Sequence, residues 1–284
     1  MRYAIVGAQG QLGRDLCRLW GDAAIPLGRA DADLTRPEAL RSTLAALRPD
    51  VVVNCAAFNF VDRAEREPEA AFAINALGVH HLAQACAEVD AMLVHFSTDY
   101  VYGRDPARTF PFSETEAPAP TCVYGVSKLA GEELAQIWPK HFVIRTCGLY
   151  GLAGLTSQKS NFIEMILRQV AQDKPLRVVF DQRCTPTFSA DLAAAIAPLV
   201  ATRQFGLYHL TSAGDCSWLE FAQAILDLRG DARPIQPVRT AEFGSPARRP
   251  AYSVLSCAKY RGLGLPALRG WREALAEYLR SRPT

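Results

Sequence analysis

The segment 124–128, Tyr-Gly-Val-Ser-Lys, places a phenol and an ammonium group four residues apart. Residues at this spacing lie on one face of a helix. A tyrosine is a poor acid at neutral pH because its ordinary pKa is about 10, but a nearby lysine favours the phenolate and makes the phenol a better proton donor. The spacing of Tyr124 and Lys128 therefore indicates a proton-transfer pair. A solvated helix face that carries both residues by chance is the alternative interpretation.

The segment 97–100, Ser-Thr-Asp-Tyr, follows the apolar run 92–96, which predicts a buried strand. In open α/β sheets, ligands bind outside the carboxyl ends of the strands, where this segment would lie. A hydroxyl group at this place can hydrogen-bond a carbonyl oxygen while Tyr124 delivers the proton. Thr98 and Ser97 are both candidates for that hydroxyl, and local bonding within the turn is the alternative for each.

Gly7, Gly10 and Gly13 form a G-x-x-G-x-x-G pattern directly after the first apolar run, 3–6. The first glycine permits a tight turn, the second lets the backbone approach a pyrophosphate, and the third lets the helix pack closely on the strand. The start of the helix then offers free N–H groups to the phosphates. We therefore predict a dinucleotide site, with cofactor contacts at Gly7, Gln9, Gly10, Gln11, Leu12 and Gly13.

The second predicted strand ends at Leu27-Gly28-Arg29, with an arginine and no carboxylate. A carboxylate at this place would bind the ribose 2′-hydroxyl of NAD, whereas an arginine suits the 2′-phosphate of NADP. Arg29 therefore favours NADPH, with NADH as the alternative if Arg29 is only a solvated charge. Asn75 is expected to be a helix cap or part of a proton relay. Further cofactor contacts are predicted at Asp33, Leu34, Cys55, Ala56, Ala57, Asn75, Tyr124 and Lys128.

Short apolar runs alternate with helical patterns through the first half of the chain, which is typical of a parallel sheet covered on both faces. Strands are predicted over 3–6, 25–27, 51–53, 92–96 and 142–144, and helices over 11–20, 37–47, 68–89 and 124–138. Later residues predict helices over 161–172, 190–202, 218–228 and 270–279, and strands over 177–180 and 207–210. The prolines of 234–250 predict surface loops.

These elements predict an α/β fold: a Rossmann-type doubly wound parallel sheet with a smaller C-terminal α/β substrate-binding cap. We expect residues 1–150 to form the NAD(P)-binding domain, with later segments at about 177–200 returning to it. Residues 151–284 should form most of the cap.

The bulk composition excludes several other classes of protein. A net charge of +2 over 284 residues does not favour nucleic acid or an acidic membrane surface. The eight cysteines form no C-x-x-C pair, which argues against zinc. The chain shows no signal peptide and no apolar run of membrane-spanning length, so we predict a cytoplasmic protein with free thiols.

These motifs together resemble those of the extended short-chain dehydrogenases/reductases and, more narrowly, the dTDP-4-dehydrorhamnose reductases. The resemblance runs nearly end to end. The Ser-Thr-Asp-Tyr-Val segment and the late Ala-Arg-Arg-Pro are its more specific parts. The resembling segments are 7–13, 49–54, 56–57, 61–65, 97–101, 124–132, 181–182, 186–187, 206–210 and 247–250.

The resemblance implies NAD(P)H-dependent reduction of the C4 keto group of a nucleotide-linked 6-deoxyhexose, with dTDP-4-dehydro-L-rhamnose as the expected substrate. It implies that Thr98, Tyr124 and Lys128 are catalytic. The substrate-binding residues implied by the same resemblance are Phe58, Val61, Asp62, Thr98, Asp99, Tyr100 and Arg248. The expected partners are a nucleotide sugar, no nucleic acid and no membrane, in a monomer or homodimer.

Two departures from the family pattern leave alternatives open. Gly148 stands where the family usually has a tryptophan on the sugar side of the site, which would open the pocket to a different nucleotide sugar. Some family members bind magnesium at a dimer contact, and Asp15 echoes one ligand, but we predict no metal site. A non-catalytic subunit that binds NADP, like the regulatory subunit of methionine adenosyltransferase, is the other alternative.

Overall fold

The computed structural model describes residues 1–155 and 160–282. The strands are Tyr3–Val6 (β1), Ala24–Leu27 (β2), Val51–Asn54 (β3), Met92–Thr98 (β4), His141–Thr146 (β5), Leu149–Tyr150 (β6), Leu176–Val179 (β7), Arg183–Cys184 (β8), Thr187–Phe188 (β9), Gly206–His209 (β10), Cys216–Ser217 (β11) and Ile235–Val238 (β12). The helices are Gln11–Trp20 (α1), Pro37–Leu47 (α2), Val61–Ala64 (α3), Pro68–Phe72 (α4), Gly78–Glu88 (α5), Val123–Ala135 (α6), Phe162–Ala171 (α7), Ser189–Ala201 (α8), Trp218–Arg229 (α9), Thr240–Phe243 (α10), Ala258–Gly262 (α11) and Trp271–Ser281 (α12).

The main sheet is parallel and has the strand order β2-β1-β3-β4-β5-β10. The chain moves outward from β1 to β2 and then crosses to β3 on the other side of β1. The strand order therefore reverses between β1 and β3, and a crevice opens there at the carboxyl ends of the strands. This topology confirms the predicted Rossmann-type, doubly wound sheet.

Both faces of the main sheet are covered, which explains why its strands read as unbroken apolar runs. Every residue of β1, β3 and β4 is buried. Ile5 points into a core with residues of α1 and α8, whereas its neighbours Ala4 and Val6 point into a core with residues of α2 and α5. The period-two alternation of a strand thus serves two hydrophobic cores at once.

The cap is built from short strand pairs and three of the later helices. β7 pairs with β12, β8 with β11, and β6 with β9. The cap core is rich in aromatic residues and is formed mainly by α7, α9 and α12. None of the helices in the described ranges has both the length and the apolar character needed to cross a membrane.

Three details differ from the sequence-based expectation. Residues 177–179 belong to β7 and pair with β12 instead of joining the main sheet; α8 and β10 are the later segments that pack there. The proline-rich stretch 234–250 contains β12 and α10 in addition to loops. The predicted helix 68–89 is interrupted by a π-helical turn, Ala73–Leu77.

Candidate active site

The glycine turn between β1 and α1 is a close-packed corner with one open side. Gly7 has a φ of +78°, and a Cβ atom there would lie 2.7 Å from the backbone nitrogen of Ala56. A Cβ at Gly13 would lie 2.5 Å from the carbonyl oxygen of Gly7, so both positions need glycine for packing. A Cβ at Gly10 would meet only that same oxygen, at 3.3 Å, and Gly10 lines a cavity. Gly10 is thus the position that leaves room for a ligand.

The N-terminus of α1 faces the same cavity. Within the described residues, no side chain caps it and no acidic residue lies in its first turn. Gln11, Leu12 and Gly13 line the cavity, while Gln9 is exposed on the turn with its amide near Gly28. Free N–H groups at a helix N-terminus bind phosphate through hydrogen bonds and the helix dipole. The turn therefore fits the pyrophosphate of a dinucleotide.

Gln11 also connects this turn to the cap. Its Oε1 atom accepts hydrogen bonds from the backbone N–H of Gly151, at 2.7 Å, and from the side-chain amide of Asn161, at 3.2 Å. Asn161 is the N-cap of α7 and lines the cavity. A ligand at the glycine turn would therefore touch both domains.

Arg29 and Asp33 form an exposed ion pair beyond the end of β2. The Arg29 side chain is 81% exposed, and its Nε lies 3.3 Å from Asp33 Oδ2. Hydrogen bonds from the backbone and hydroxyl of Thr35 are the main cause that lowers the pKa of Asp33. Leu34, predicted as a cofactor contact, has its side chain in the hydrophobic core, and its carbonyl oxygen lies 3.1 Å from His81 Nδ1. Arg29 is thus accessible to a phosphate group, whereas the Leu34 side chain is not accessible to the adenine ring of a cofactor.

Small residues after β3 form the next part of the cavity wall. Cys55, Ala56 and Ala57 line the cavity beside the glycine turn. The side-chain oxygen of Asn54 accepts a hydrogen bond from the backbone N–H of Ala56, at 3.1 Å, which fixes the path of the chain as it leaves β3. The backbone of this segment is therefore held open to a closely approaching cofactor.

Tyr124 and Thr98 meet at the carboxyl end of β4. Tyr124 lies in the first turn of α6, Thr98 ends β4, and their hydroxyl groups are neighbours. Burial raises the pKa of Tyr124, and the nearby Thr98 hydroxyl offsets part of that effect. The ring of Tyr100 packs edge-to-face against Tyr124, with 5.7 Å between the ring centroids. The phenol therefore keeps its proton at neutral pH and presents it to the cavity.

Lys128 lies one helical turn beyond Tyr124 and faces β4. Its Nζ donates a hydrogen bond to the Phe96 carbonyl oxygen, at 2.6 Å, and lies 3.4 Å from His95 Nε2. Burial lowers the pKa of Lys128 to about 8. Burial is the main cause that raises the pKa of Tyr124, and Thr98 is the group that offsets part of the rise. That Lys128 also lowers the pKa of Tyr124 stays a prediction.

Ser97 belongs to a polar network beneath the site. Its hydroxyl donates to Glu132, which forms an ion pair with Arg145 at 2.6 Å between Nη2 and Oε2. Only 3% of the Arg145 side chain and 1% of the Glu132 side chain are exposed. Arg145 also donates to the hydroxyl of Tyr102, at 2.6 Å. The Ser97 hydroxyl is thus bonded to Glu132 in this network, and Thr98 provides the hydroxyl beside Tyr124.

Asp99 lines the cavity, but its carboxylate is occupied by neighbours. It accepts hydrogen bonds from the hydroxyls of Ser253 and Thr98 and from the thiol of Cys147, which lies 3.0 Å away. Burial raises the pKa of Asp99, and these hydrogen bonds offset part of the rise. Its side chain therefore joins three segments of the cavity wall.

Asp62 and Arg249 form a two-pronged ion pair beside Tyr100. The two guanidinium nitrogens of Arg249 lie 3.0 and 2.8 Å from the carboxylate oxygens of Asp62, and the guanidinium is also a neighbour of the Tyr100 side chain. Arg248, expected near the substrate, is instead exposed, and its carbonyl accepts a hydrogen bond from Thr121. Adjacent residues of an extended segment point to opposite sides, so the pattern alone did not identify the inward arginine.

Val61 lines the cavity, whereas Phe58 and Asn75 form the support behind it. The Asn75 amide accepts a hydrogen bond from the Phe58 N–H, at 2.8 Å, and donates to the Phe58 carbonyl, at 2.9 Å, and to the Ser127 hydroxyl, at 3.0 Å. Asn75 lies in the π-helical turn and is 1% exposed. It therefore anchors the loop after β3 to α6 and is not the helix cap that the sequence suggested, while its contact with a cofactor stays a prediction.

The cap supplies an aromatic side of the cavity that the sequence analysis missed. The cavity has a volume of about 360 Å³, and its cap side includes Phe162, Trp218, Phe221, Gln182 and Arg183. The signal for one of these residues was local: the Ser-x-x-Glu capping box 217–220 places residue 218 at the start of a helix. Which way its ring points depends on the packing of the cap.

Gly148 does not leave an open gap in this wall. It has a φ of +52°, and a Cβ there would lie 3.4 Å from Cη2 of Trp218 and 3.2 Å from the Cα of Pro186. The expected opening beside Gly148 is therefore closed by a tryptophan from the cap.

Asp15 is part of the contact between α1 and α8. It is 7% exposed and accepts hydrogen bonds from Ser189 and Arg18. Burial raises the pKa of Asp15. Residues 1–155 and 160–282 contain no group of three or more metal-ligating side chains.

Comparison with known proteins places the chain in a family. Residues 1–282 match the family model described as the RmlD substrate binding domain. The chain belongs to this family. It is 41% identical to a dTDP-4-dehydrorhamnose reductase of Streptomyces griseus, over 97% of this chain and 92% of that protein.

Two further proteins are similar to this chain over nearly its whole length. A Streptomyces antibioticus protein named "probable dTDP-4,6-dihydroxy-2-methyloxan-3-one 4-ketoreductase" is also 41% identical, over 98% of this chain and 94% of that one. The crystal structure of dTDP-4-dehydrorhamnose reductase from Bacillus anthracis in complex with NADP has a TM-score of 0.92 and 35% identity, and the match covers 99% of both chains.

Proposed function

We propose that the protein reduces the C4 keto group of a nucleotide-linked 6-deoxyhexose with NADPH, and that dTDP-4-dehydro-L-rhamnose is its substrate and dTDP-L-rhamnose its product. The observation that carries this proposal is the neighbouring pair of Thr98 and Tyr124, which lines the same cavity as the uncapped N-terminus of α1. A proton donor and a dinucleotide site thus share one cavity.

In the proposed mechanism, the substrate carbonyl oxygen lies between the hydroxyls of Thr98 and Tyr124. NADPH supplies the hydride when it is bound. Tyr124 gives its proton to the oxygen as the C4 carbonyl becomes an alcohol, and Thr98 holds that oxygen by a hydrogen bond. Lys128 is charged below pH of about 8 and offsets the negative charge that is left on Tyr124.

The cofactor is proposed to lie across the turn 7–13 and the segment 55–57, with Lys128 on its ribose. Arg29 supports NADPH as the preferred cofactor, because its side chain is exposed at the end of β2. The two carboxylates nearby already accept hydrogen bonds, Asp33 from Thr35 and Arg29 and Asp31 from the Gly28 N–H. The Arg29→Asp variant should lose affinity for NADPH by about 10-fold, equivalent to about 1.4 kcal/mol, with little change for NADH. Fluorescence titration with both cofactors measures this, and an unchanged preference would make Arg29 a plain surface charge.

The direct test follows NADPH absorbance with dTDP-4-dehydro-L-rhamnose generated in situ, with NADH in a parallel reaction. Substrate-dependent loss of absorbance is the expected result. Tight binding of NADPH without turnover on any nucleotide keto sugar would instead support the non-catalytic subunit.

A different nucleotide sugar is the second candidate substrate. The Streptomyces antibioticus relative, at the same 41% identity, is named for a different ketone. Turnover of another dTDP-linked 4-keto sugar, with none on dTDP-4-dehydro-L-rhamnose, would select this candidate.

The remaining proposals concern location and assembly. The eight cysteines all lie within the described residues and are free thiols, which suits a reducing compartment such as the cytoplasm. All the proposed catalytic groups come from one chain, so a monomer or a homodimer would each hold complete sites.

A further inference from the structure

Gly148 and Trp218 meet across the seam between the main sheet and the cap. Gly148 follows β5, and Trp218 is the first residue of α9. A Cβ at Gly148 would point at the indole ring and lie 3.4 Å from its Cη2 atom. The ring therefore fills the space that a side chain at position 148 would otherwise use.

The Trp218 ring is held by its neighbours and is only half-buried. It packs on Phe162, with 4.7 Å between the ring centroids, and touches Phe221 at 6.2 Å. Ser217 and Glu220 form a reciprocal capping box that fixes the start of α9. All three aromatic residues line the cavity, so Trp218 presents a fixed apolar surface to whatever binds there.

This surface lies close to the proposed reacting groups. Gly148 directly follows Cys147, whose thiol donates to Asp99 at 3.0 Å, and Asp99 follows Thr98. The glycine turn and the segment 55–57 line the same cavity through other residues. A cofactor bound there would leave the space between Thr98 and Trp218 for the sugar.

We propose that Trp218 is a specificity-determining residue that packs against the C–H-rich face of the substrate's deoxyhexose ring, and that Gly148 is the small partner that this arrangement requires. This inference rests on the proposed function. The face of an aromatic ring carries partial negative charge, and sugar C–H groups and a C6 methyl group are weakly positive and apolar. A neutral deoxyhexose fits such a wall, whereas a sugar acid would place a charge against it.

The test separates the sugar from its nucleotide. Calorimetry compares the affinity of dTDP-L-rhamnose with that of dTDP alone, in the presence of NADPH, so that no reaction can occur. In the parent protein the sugar should increase affinity; in Trp218→Leu that increase should fall by about 10-fold, as expected for the loss of a buried aromatic contact. Affinity for dTDP and for NADPH should stay at the parent value, and Trp218→Phe should keep most of the increase.

The matched control is Trp20→Leu, which makes the same substitution at another half-buried tryptophan. Trp20 stacks on Tyr3, with 4.1 Å between the ring centroids, and is not one of the described residues that line the cavity. This variant should bind both ligands like the parent. An equal loss for dTDP and dTDP-L-rhamnose in Trp218→Leu would overturn the proposal, as would a parent protein that gains nothing from the sugar.

The outcome is independent of turnover. A parent that does not oxidise NADPH, yet loses sugar-specific affinity in Trp218→Leu, would reject the reductase function and keep the sugar-binding role of Trp218. Normal turnover with an unchanged KM in Trp218→Leu would support the reductase function and reject the sugar-binding role of Trp218.

A second pair of variants tests the Gly148 contact. Asparagine tolerates the left-handed backbone at position 148 better than most residues do. Gly148→Asn should lower dTDP-L-rhamnose affinity by about 10-fold in the parent, because its side chain meets the indole, and by much less in the Trp218→Ala background. Equal effects in both backgrounds would show that the two residues do not interact.

Discussion

The two sides of the cavity are built in different ways. On the sheet side, buried polar groups are held by directed hydrogen bonds: Lys128 by the Phe96 carbonyl, and Asp99 by its three donors. On the cap side, the rings of Phe162, Trp218 and Phe221 pack on one another. The comparison suggests that the sheet side performs the chemistry, which needs exact directions, and that the cap side supplies affinity, which depends on contact area.

The energetic consequences of a substitution should also differ between the two sides. A buried polar group that loses its partner costs free energy even when the shape of the site is unchanged. An apolar wall loses the transfer free energy of the removed surface plus a cavity term, which is smaller where neighbours relax into the space. Substitutions on the sheet side should therefore lower kcat or stability, and substitutions on the cap side should raise KM.

The largest effect is expected for Tyr124→Phe, which removes the proposed proton donor and little else. It should lower kcat by about 100- to 10,000-fold, the usual contribution of a positioned acid. NADPH affinity should be unchanged. Steady-state kinetics and a cofactor titration measure both quantities. Tyr3→Phe, remote from the cavity, is the control and should behave like the parent. A parent-like kcat in Tyr124→Phe would remove the tyrosine from the mechanism.

The polar network below the site should control stability. Glu132→Gln leaves the buried Arg145 charge without its partner, so the free energy of unfolding should fall by about 3–5 kcal/mol. Denaturant unfolding at pH 7 measures this value. Glu38→Gln breaks an ion pair whose glutamate is 84% exposed, and should cost less than about 1 kcal/mol. Similar losses in the two variants would contradict the contrast between buried and exposed pairs.

Lys128 should make the stability of the protein depend on pH in a defined window. Its folded pKa is lowered to about 8, below the unfolded value of 10.5, so the unfolded chain binds the extra proton between these values. The penalty for burying the lysine is full below pH of about 8 and disappears as pH rises through the window. Relative to Lys128→Met, the parent should gain about 3 kcal/mol between pH 8 and 10.5.

Urea unfolding of the parent and the Lys128→Met variant at several pH values measures this difference. The contributions of other titrating groups cancel when the two free energies of unfolding are subtracted. A difference that stays constant with pH would show that Lys128 keeps an ordinary pKa. Because the charged form is lost above pH of about 8, kcat/KM should also decline there if the ammonium group assists Tyr124.

The smallest effect concerns two adjacent arginines. Arg249→Ala removes the ion pair with Asp62 and the guanidinium beside Tyr100, and should lower kcat/KM by about 10-fold, equivalent to about 1.4 kcal/mol. Arg248→Ala changes an exposed side chain and should stay within about 2-fold of the parent, as surface substitutions usually do. Kinetics of both variants under the same conditions measure the contrast. A larger loss in Arg248→Ala would restore the original sequence-based assignment.

Local pattern was sufficient for much of the fold. α1 and α2 have the predicted bounds, because a glycine turn or a proline starts each helix and its apolar spacing continues to the end. The central strands of the main sheet were predicted as apolar runs, since both faces of β1, β3 and β4 are buried. The π-helical turn at 73–77 was missed, because it arises where Asn75 bonds to Phe58 and Ser127 from other parts of the chain.

The candidate site divides in the same way. Tyr124 and Lys128 were found because four-residue spacing on a helix is a local property, and Gly7, Gly10 and Gly13 because a turn is local too. Partners came from elsewhere: His95 reaches Lys128 from a strand 33 residues earlier in the chain, and no local pattern marks that contact.

By itself, the sequence determined which residues can carry a proton, where the backbone must lack a side chain, and which segments become strands and helices. Those properties depend on residue type and on spacings of a few residues. Only the tertiary structure decided that Arg249 and not Arg248 faces Tyr100, that Thr98 and not Ser97 meets Tyr124, and that Trp218 closes the space beside Gly148. Each of these outcomes depends on the direction of a side chain relative to a segment distant in the chain, and that direction is set by packing, which adds up over many contacts and is not encoded at any one position.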